Sequence, residues 1–303
     1  MPASKVAVVV ESFNETEHSS VERLAKALGM AERATREYGN AKVVLADSGR
    51  SADVSDLLAE RFPGVERITS DVYDYDAAKR MAASGAGAEV VVFLDGDCEP
   101  VGDDWLPSLI RPIVSGKAVG AAGFTMYEGG WLRRVLSVMD FGFLIPRRER
   151  PVACYASNNS AFRADALACT PTVEGEMRCR CFSHAQEFAR RGTPVYLAPD
   201  ALAYHEAVPV VRERIVRGWQ LVGAARVDPH LREARWLRFG VLAAPLYWAQ
   251  NVALDTVRAI NGGRDFGLGP FSRVAAVPVM ASLRTIDLVG IVIALRGRPL
   301  PRY

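Results

Sequence analysis

The chain has 303 residues, 50% of them hydrophobic and 24% charged, with a net charge of +2. That balance describes a globular protein and excludes a dedicated nucleic-acid binder, while the length accommodates one large α/β domain plus an extension. Five irregularly placed cysteines (Cys98, Cys154, Cys169, Cys179 and Cys181) argue against a secreted disulfide scaffold. The first apolar run stops at Glu11, too early for a signal peptide, so the expectation is a reducing, cytoplasmic protein.

Val6 to Val10 predicts a buried strand, followed by the polar loop Glu11-Ser12-Phe13-Asn14-Glu15. Ser19 and Glu22 fit a capping box, and Val21, Leu24, Ala25 and Leu28 recur at helical spacing towards Tyr38-Gly39. Lys42 to Ala46 reads as a second strand ending in Asp47-Ser48-Gly49. Ser51 to Phe62 reads as a helix stopped by Pro63-Gly64, Val65 to Ile68 as a third strand, and Asp76 to Ser84 as a helix closing on Gly85.

Next, Val90-Val91-Val92-Phe93-Leu94 runs straight into Asp95-Gly96-Asp97. An unbroken β-branched and aromatic run is the pattern of a strand buried on both faces. Its two carboxylates fall at the carboxyl end, where α/β sheets bind ligands. Hard oxygen donors so close together suit Mg²⁺ or Mn²⁺, and hence a diphosphate. A bare Asp-Gly-Asp is more often a solvated turn; the buried strand ahead of it reverses that reading. Strands alternating with helices predict an α/β, doubly wound, mostly parallel sheet.

Beyond Pro100 come a helix at Trp105–Val114, a strand at Val119–Phe124 and an amphipathic stretch at Trp131–Leu144. The polar cluster Ser157-Asn158-Asn159-Ser160 precedes a helix at Ser183–Arg191, a strand at Val195–Leu197 and a short extended segment leading to His205. From Glu206 to Tyr303 there is no Lys, but fourteen Arg against seven acidic residues. Phe239–Leu254 is uncharged, and Phe271–Leu295 is largely apolar but carries Arg273, Arg284 and Asp287. Neither is a clean spanning segment. Interfacial helices fit better, the other reading being core helices or a homo-oligomer contact. The domain expectation is a nucleotide-sugar domain over 1–226 and a helical, partly apolar extension over 227–303.

At this point the chain resembles the family-2 inverting glycosyltransferases, which have the GT-A fold. Val6–Glu15 looks like their first strand and loop, with Glu11 standing where Pro is usual. Val43–Gly49 resembles the second strand with its nucleotide-binding Asp, and Val91–Asp97 the metal-binding Asp-x-Asp. Ser157–Arg163 is similar to the segment lining the sugar and acceptor site, and Ala198–His205 to the late strand whose His approaches the metal. The resemblance implies a nucleotide-sugar donor, most often a UDP-sugar, with Mn²⁺ or Mg²⁺. Nucleotide binding falls to Ser12, Glu15, Asp47 and Asp95, metal binding to Asp95, Asp97 and His205, and the acceptor or sugar to Asn158 and Asn159. Arg214-Ile215-Val216-Arg217-Gly218-Trp219 resembles a Gln/Arg-x-x-Arg-Trp motif, with Gly218 interposed. It implies diphosphate binding by Arg214, Arg217 and Trp219 and a saccharide or lipid-linked acceptor.

An inverting transferase needs a general base. The family's usual Glu-Asp pair is missing, and alignment leaves His184 and Glu187, then Glu176. Cys179-x-Cys181-x-x-His184 lacks the paired spacing of a zinc site. Expected partners are therefore the donor, the acceptor, a peripheral membrane contact at the inner face of the cell membrane, and no nucleic acid. The alternatives are a nucleotidyltransferase or an inactive transferase serving as a partner subunit.

Overall fold

Three apolar strands at the N-terminal side set the architecture: β1 (Val6–Glu11), β2 (Ala41–Asp47) and β4 (Val90–Asp95). All six residues of β1 and of β4 are buried, as expected of central strands covered on both faces. The computed structural model describes residues 5–12, 21–47, 49, 51–70, 75–169, 181–206, 209–227 and 236–298.

The remaining strands are β3 (Glu66–Thr69), β5 (Cys98–Pro100), β6 (Gly120–Tyr127), β7 (Arg150–Pro151), β8 (Asn159–Arg163) and β9 (Tyr196–His205). One nine-stranded sheet runs β3-β2-β1-β4-β8-β6-β9-β5, with β7 paired to β9. β3, β2, β1 and β4 are parallel, so Glu11, Asp47 and Asp95 arrive together at one sheet edge. β8 enters antiparallel beside β4, placing Asn159 against Leu94. β9 is longer than its apolar core predicts, because Ala198–Tyr204 continues the strand as far as His205.

Helices α1 (Val21–Tyr38), α2 (Ala52–Arg61), α3 (Tyr75–Gly85), α4 (Trp105–Val114), α6 (Ala164–Ala168) and α7 (Cys181–Arg190) accompany this sheet; α5 is Trp131–Phe141. Leu24, Ala25 and Leu28 of α1, named by their helical spacing, join Val6, Val8 and Val10 in the core together with Ala27 and Ala31, while Val21 packs against it partly buried. Gly96 is required by the same close packing, since a Cβ there would lie 2.3 Å from the Glu11 carbonyl oxygen.

By its contacts the chain divides into two compact units. The first is Met1–Met126, Pro146–Thr172 and Cys179–Glu206; the second is Tyr127–Ile145, Val173–Arg178 and Ala207–Tyr303. The second is helical: α5, α8 (Val210–Val227), α9 (Ala244–Gly262) and α10 (Pro270–Leu295). α8 and α10 meet through glycines. A Cβ on Gly218 would sit 2.0 Å from the Asp287 carbonyl oxygen, and one on Gly290 1.8 Å from that of Ile215. α9 and α10 are joined by buried charge: Arg284 donates to both Asp255 oxygens at 2.7 and 3.1 Å and to Asp287 at 2.9 Å.

Candidate active site

The carboxylates of Asp95 and Asp97 are buried at the end of β4 and the turn that follows it. β5 returns antiparallel to β9, which sets His205 opposite Cys98. His205 Nδ1 lies 2.6 Å from the Glu206 carbonyl oxygen, so this nitrogen carries the proton. The other nitrogen, Nε2, faces Asp97 Oδ2 across 3.7 Å. A fixed Nδ1–H tautomer that presents Nε2 is the arrangement of metal-ligating histidines.

Two overlapping sets have ligand atoms within 4.8 Å of one another: Glu11, Asp95 and Asp97, and Asp97, Cys98 and His205. Burial first, then the Asp97 and Asp95 carboxylates, push the Cys98 thiol pKa well up. The three carboxylates of the first set suit Mn²⁺ or Mg²⁺, and the second set adds the His205 imidazole beside Asp97. Lys79, a buried residue of α3, caps the group by bonding Asp95 Oδ1 and the Ser157 carbonyl oxygen.

On the nucleotide side, Asp47 closes β2 with both oxygens engaged. Ser12 Oγ donates to Oδ1 at 2.5 Å and Arg67 Nε to Oδ2 at 2.6 Å. Asp47 and Asp95 end strands separated only by β1, which sets them about 10 Å apart at the usual strand spacing. Ser12, Asp47 and Asp95 are thus brought to one edge, whereas Glu15 lies outside the described residues.

The polar cluster before β8 divides its tasks. Asn159 is a brace: Nδ2 donates to the Phe124 and Ala201 carbonyls at 3.1 and 2.9 Å, and Oδ1 accepts from Trp105 Nε1 at 3.0 Å. Asn158 accepts from Thr125 Oγ1 at 3.1 Å, and its backbone carbonyl accepts from the Asp95 amide at 3.3 Å.

Of the bases considered, Glu176 lies outside the described residues. His184 is buried between Arg80 Nη2, 2.9 Å from Nε2, and Tyr155 Oη, 3.1 Å from Nδ1. A guanidinium can only donate, so Arg80 occupies the Nε2 lone pair. Glu187 is held by Arg190 at 2.8 Å and Arg191 at 2.7 Å. Cys181 is disulfide-bonded, so a reduced thiol is found at Cys98, Cys154 and Cys169 but not there. Cys179 of the Cys179-x-Cys181-x-x-His184 stretch lies outside the described residues.

In the helical unit, Arg214 is fully buried, donating to Asp140 at 2.8 Å and approaching Asp287 at 3.3 Å. Arg217 bonds Glu213 at 2.8 Å and the Tyr127 hydroxyl at 3.0 Å, and its side chain remains partly exposed. Trp219 Nε1 donates to the Arg298 carbonyl at 3.1 Å. The interposed Gly218 is explained by the crossing with α10. Sequence reasoning missed Glu11, Arg67 and the depth of Lys79. The register of β1 against β4 was the one signal that pointed to Glu11.

The family model for glycosyl transferase family 2 matches residues 7–170, more than half of the chain. No curated protein sequence matches it. Among solved structures, the fold is similar to that of a mannosyltransferase from Pyrobaculum calidifontis in complex with GDP-mannose and Mn²⁺. That match has a TM-score of 0.61 and 15% identity, covering 97% of this chain and 88% of the other. A second similar fold is glucosyl-3-phosphoglycerate synthase from Mycobacterium tuberculosis with Mn²⁺, UDP and phosphoglyceric acid. There the TM-score is 0.50 and the identity 15%, over 74% of this chain and 78% of that one.

Proposed function

Since the chain belongs to glycosyl transferase family 2, we propose that it moves a sugar from a UDP-sugar to an acceptor hydroxyl with inversion at the anomeric carbon. The observation that carries this reading is the edge formed by Asp47, Asp95, Asp97 and His205. Asp47 and Ser12 take the base and ribose end of the donor, and Asp95, Asp97 and His205 hold Mn²⁺ or Mg²⁺. The bound cation supplies Lewis-acid stabilisation of the charge growing on the departing diphosphate. Lys79 holds Asp95 in place. Asn158 faces the sugar side, with Asn159 bracing the strand beneath it. Because Arg80 occupies the Nε2 lone pair of His184, the base is a carboxylate, Glu187 or Glu176.

The acceptor in this reading is lipid-linked, reached at the cytoplasmic face of a membrane. The support lies in α9 and α10, whose charged side chains Asp255, Arg258, Arg273, Arg284 and Asp287 are all buried or half-buried. Their exposed faces carry Leu246, Val257, Ile260, Phe271, Val274 and Val289 instead. A surface helix of a soluble protein shows the reverse pattern.

The test is thermal stabilisation of the full chain by UDP, GDP and dTDP, each with and without Mn²⁺, in the wild type and in Asp97→Ala. A Mn²⁺-dependent shift with UDP, absent in the variant, is expected. No shift with any of the three nucleotides would refute the donor site. Turnover of a UDP-sugar then separates a working enzyme from an inactive partner subunit.

A further inference from the structure

We propose that Glu11 is a third carboxylate ligand of the divalent cation, beside Asp95 and Asp97. The inference rests on reading this edge as the cation site, and it adds a residue that the family pattern does not supply, since Glu11 stands where Pro is usual.

Glu11 is the last residue of β1, and the parallel register sets it directly opposite Asp95 on β4. It is fully buried. Its Oε1 lies 3.4 Å from the amide nitrogen of Gly96, the residue between the two aspartates. Oxygens of Glu11, Asp95 and Asp97 fall within 4.8 Å of one another. Lys79 pairs with one of these carboxylates, Asp95, and a divalent cation would offset the charge of the gathered group further. Gly96 lets the backbone close on Glu11, because a Cβ there would collide with its carbonyl oxygen at 2.3 Å.

Glu11, Asp95 and Asp97 would supply three oxygen ligands, leaving the other positions of a divalent ion to diphosphate oxygens or water. The consequence is that the protein holds the cation without nucleotide.

The competing account of Glu11 is structural: a buried acceptor for the Gly96 amide. Glu11→Gln separates the two, because the amide side chain keeps an acceptor and the shape but loses the charge. Mn²⁺ is titrated into the nucleotide-free full chain, followed by electron paramagnetic resonance of the free ion, for wild type, Glu11→Gln and Asp97→Asn. Glu11→Gln is expected to weaken Mn²⁺ affinity about 10- to 100-fold, the effect usual for residues that support a metal site. An affinity within about twofold of wild type, with Asp97→Asn impaired, overturns the role of Glu11 and leaves the site standing. Unchanged affinity in Asp97→Asn overturns the site itself. Should Glu11→Gln not fold, wild-type crystals soaked in Mn²⁺ decide by anomalous scattering. A Glu11 oxygen at about 2.0–2.6 Å from the ion supports the proposal, and one beyond about 4 Å overturns it.

Discussion

Arg67 holds Asp47 from the neighbouring strand, Nε to Oδ2 at 2.6 Å, while Ser12 takes the other oxygen at 2.5 Å. The carboxylate is thereby fixed at the end of β2 before any ligand arrives, and a fixed acceptor binds with less ordering cost. Asp47→Ala should weaken UDP binding about 10- to 100-fold, since hydrogen bonds to a charged group contribute about 1.5–3 kcal/mol. Arg67→Ala, which loosens the carboxylate without removing it, should have a smaller effect in the same direction. Isothermal titration with UDP in the presence of Mn²⁺ measures both. Wild-type affinity in Asp47→Ala would remove this residue from nucleotide recognition.

The crossing of α8 and α10 makes a separate prediction about stability. With Gly218 so near the Asp287 carbonyl, Gly218→Ala must push two helix backbones apart. Overpacking of this kind costs about 1–3 kcal/mol, to be read from urea unfolding of the helical unit's tryptophan fluorescence. An unchanged midpoint would mean that the helices part freely.

Much of the fold was legible because its strands are apolar runs that end in acids. Val90–Asp95 could hardly be anything but a buried strand, and its carboxyl end placed Asp95 and Asp97 without further help. What escaped was whatever depends on register between distant segments. Glu11 looked like a departure from a pattern until β1 was paired with β4. Arg67 sits on a short strand whose other residues gave no hint that it would turn to Asp47. Lys79 is buried on the inward face of its helix, where it bonds Asp95. Arg214 presents the reverse case: its motif suggested a ligand contact, but its nearest partners are Asp140 and Asp287, supplied by helices far away in sequence.

The outward faces of α9 and α10 predict behaviour at a lipid surface. Phe271 is 93% and Leu242 90% exposed, and Arg238, Arg264, Arg296 and Arg298 are exposed on the same unit. Apolar residues next to arginines favour anionic headgroups. The full chain should therefore float with phosphatidylcholine–phosphatidylglycerol vesicles, bind less to phosphatidylcholine alone, and lose binding in Leu242→Glu/Phe271→Glu. Absence of binding to the anionic vesicles, with a dimer in light scattering that the double variant breaks, would assign the face to a second copy of the chain.

Asp140 predicts an acid-sensitive link in the helical unit. Burial alone would raise its pKa, but the guanidinium groups of Arg214 and Arg217 outweigh that and hold it below the ordinary value of 3.8. A carboxyl group with a depressed pKa in the folded state contributes stability that is present above the unfolded value and lost as pH falls through the folded one. At pH 7, Asp140→Asn should be less stable by about 3–5 kcal/mol, the usual effect of leaving one member of a buried pair unmatched. Arg214 is badly placed to absorb the loss, because its Nη1 already has no hydrogen-bond partner. As pH drops below about 4, the unfolded chain takes up the proton before folded Asp140 does, and the difference between the two proteins should begin to shrink. Denaturant unfolding from pH 7 to pH 3 tests this. A stability difference that stays constant over that range would show that the charge of Asp140 plays no part in holding α5 to α8.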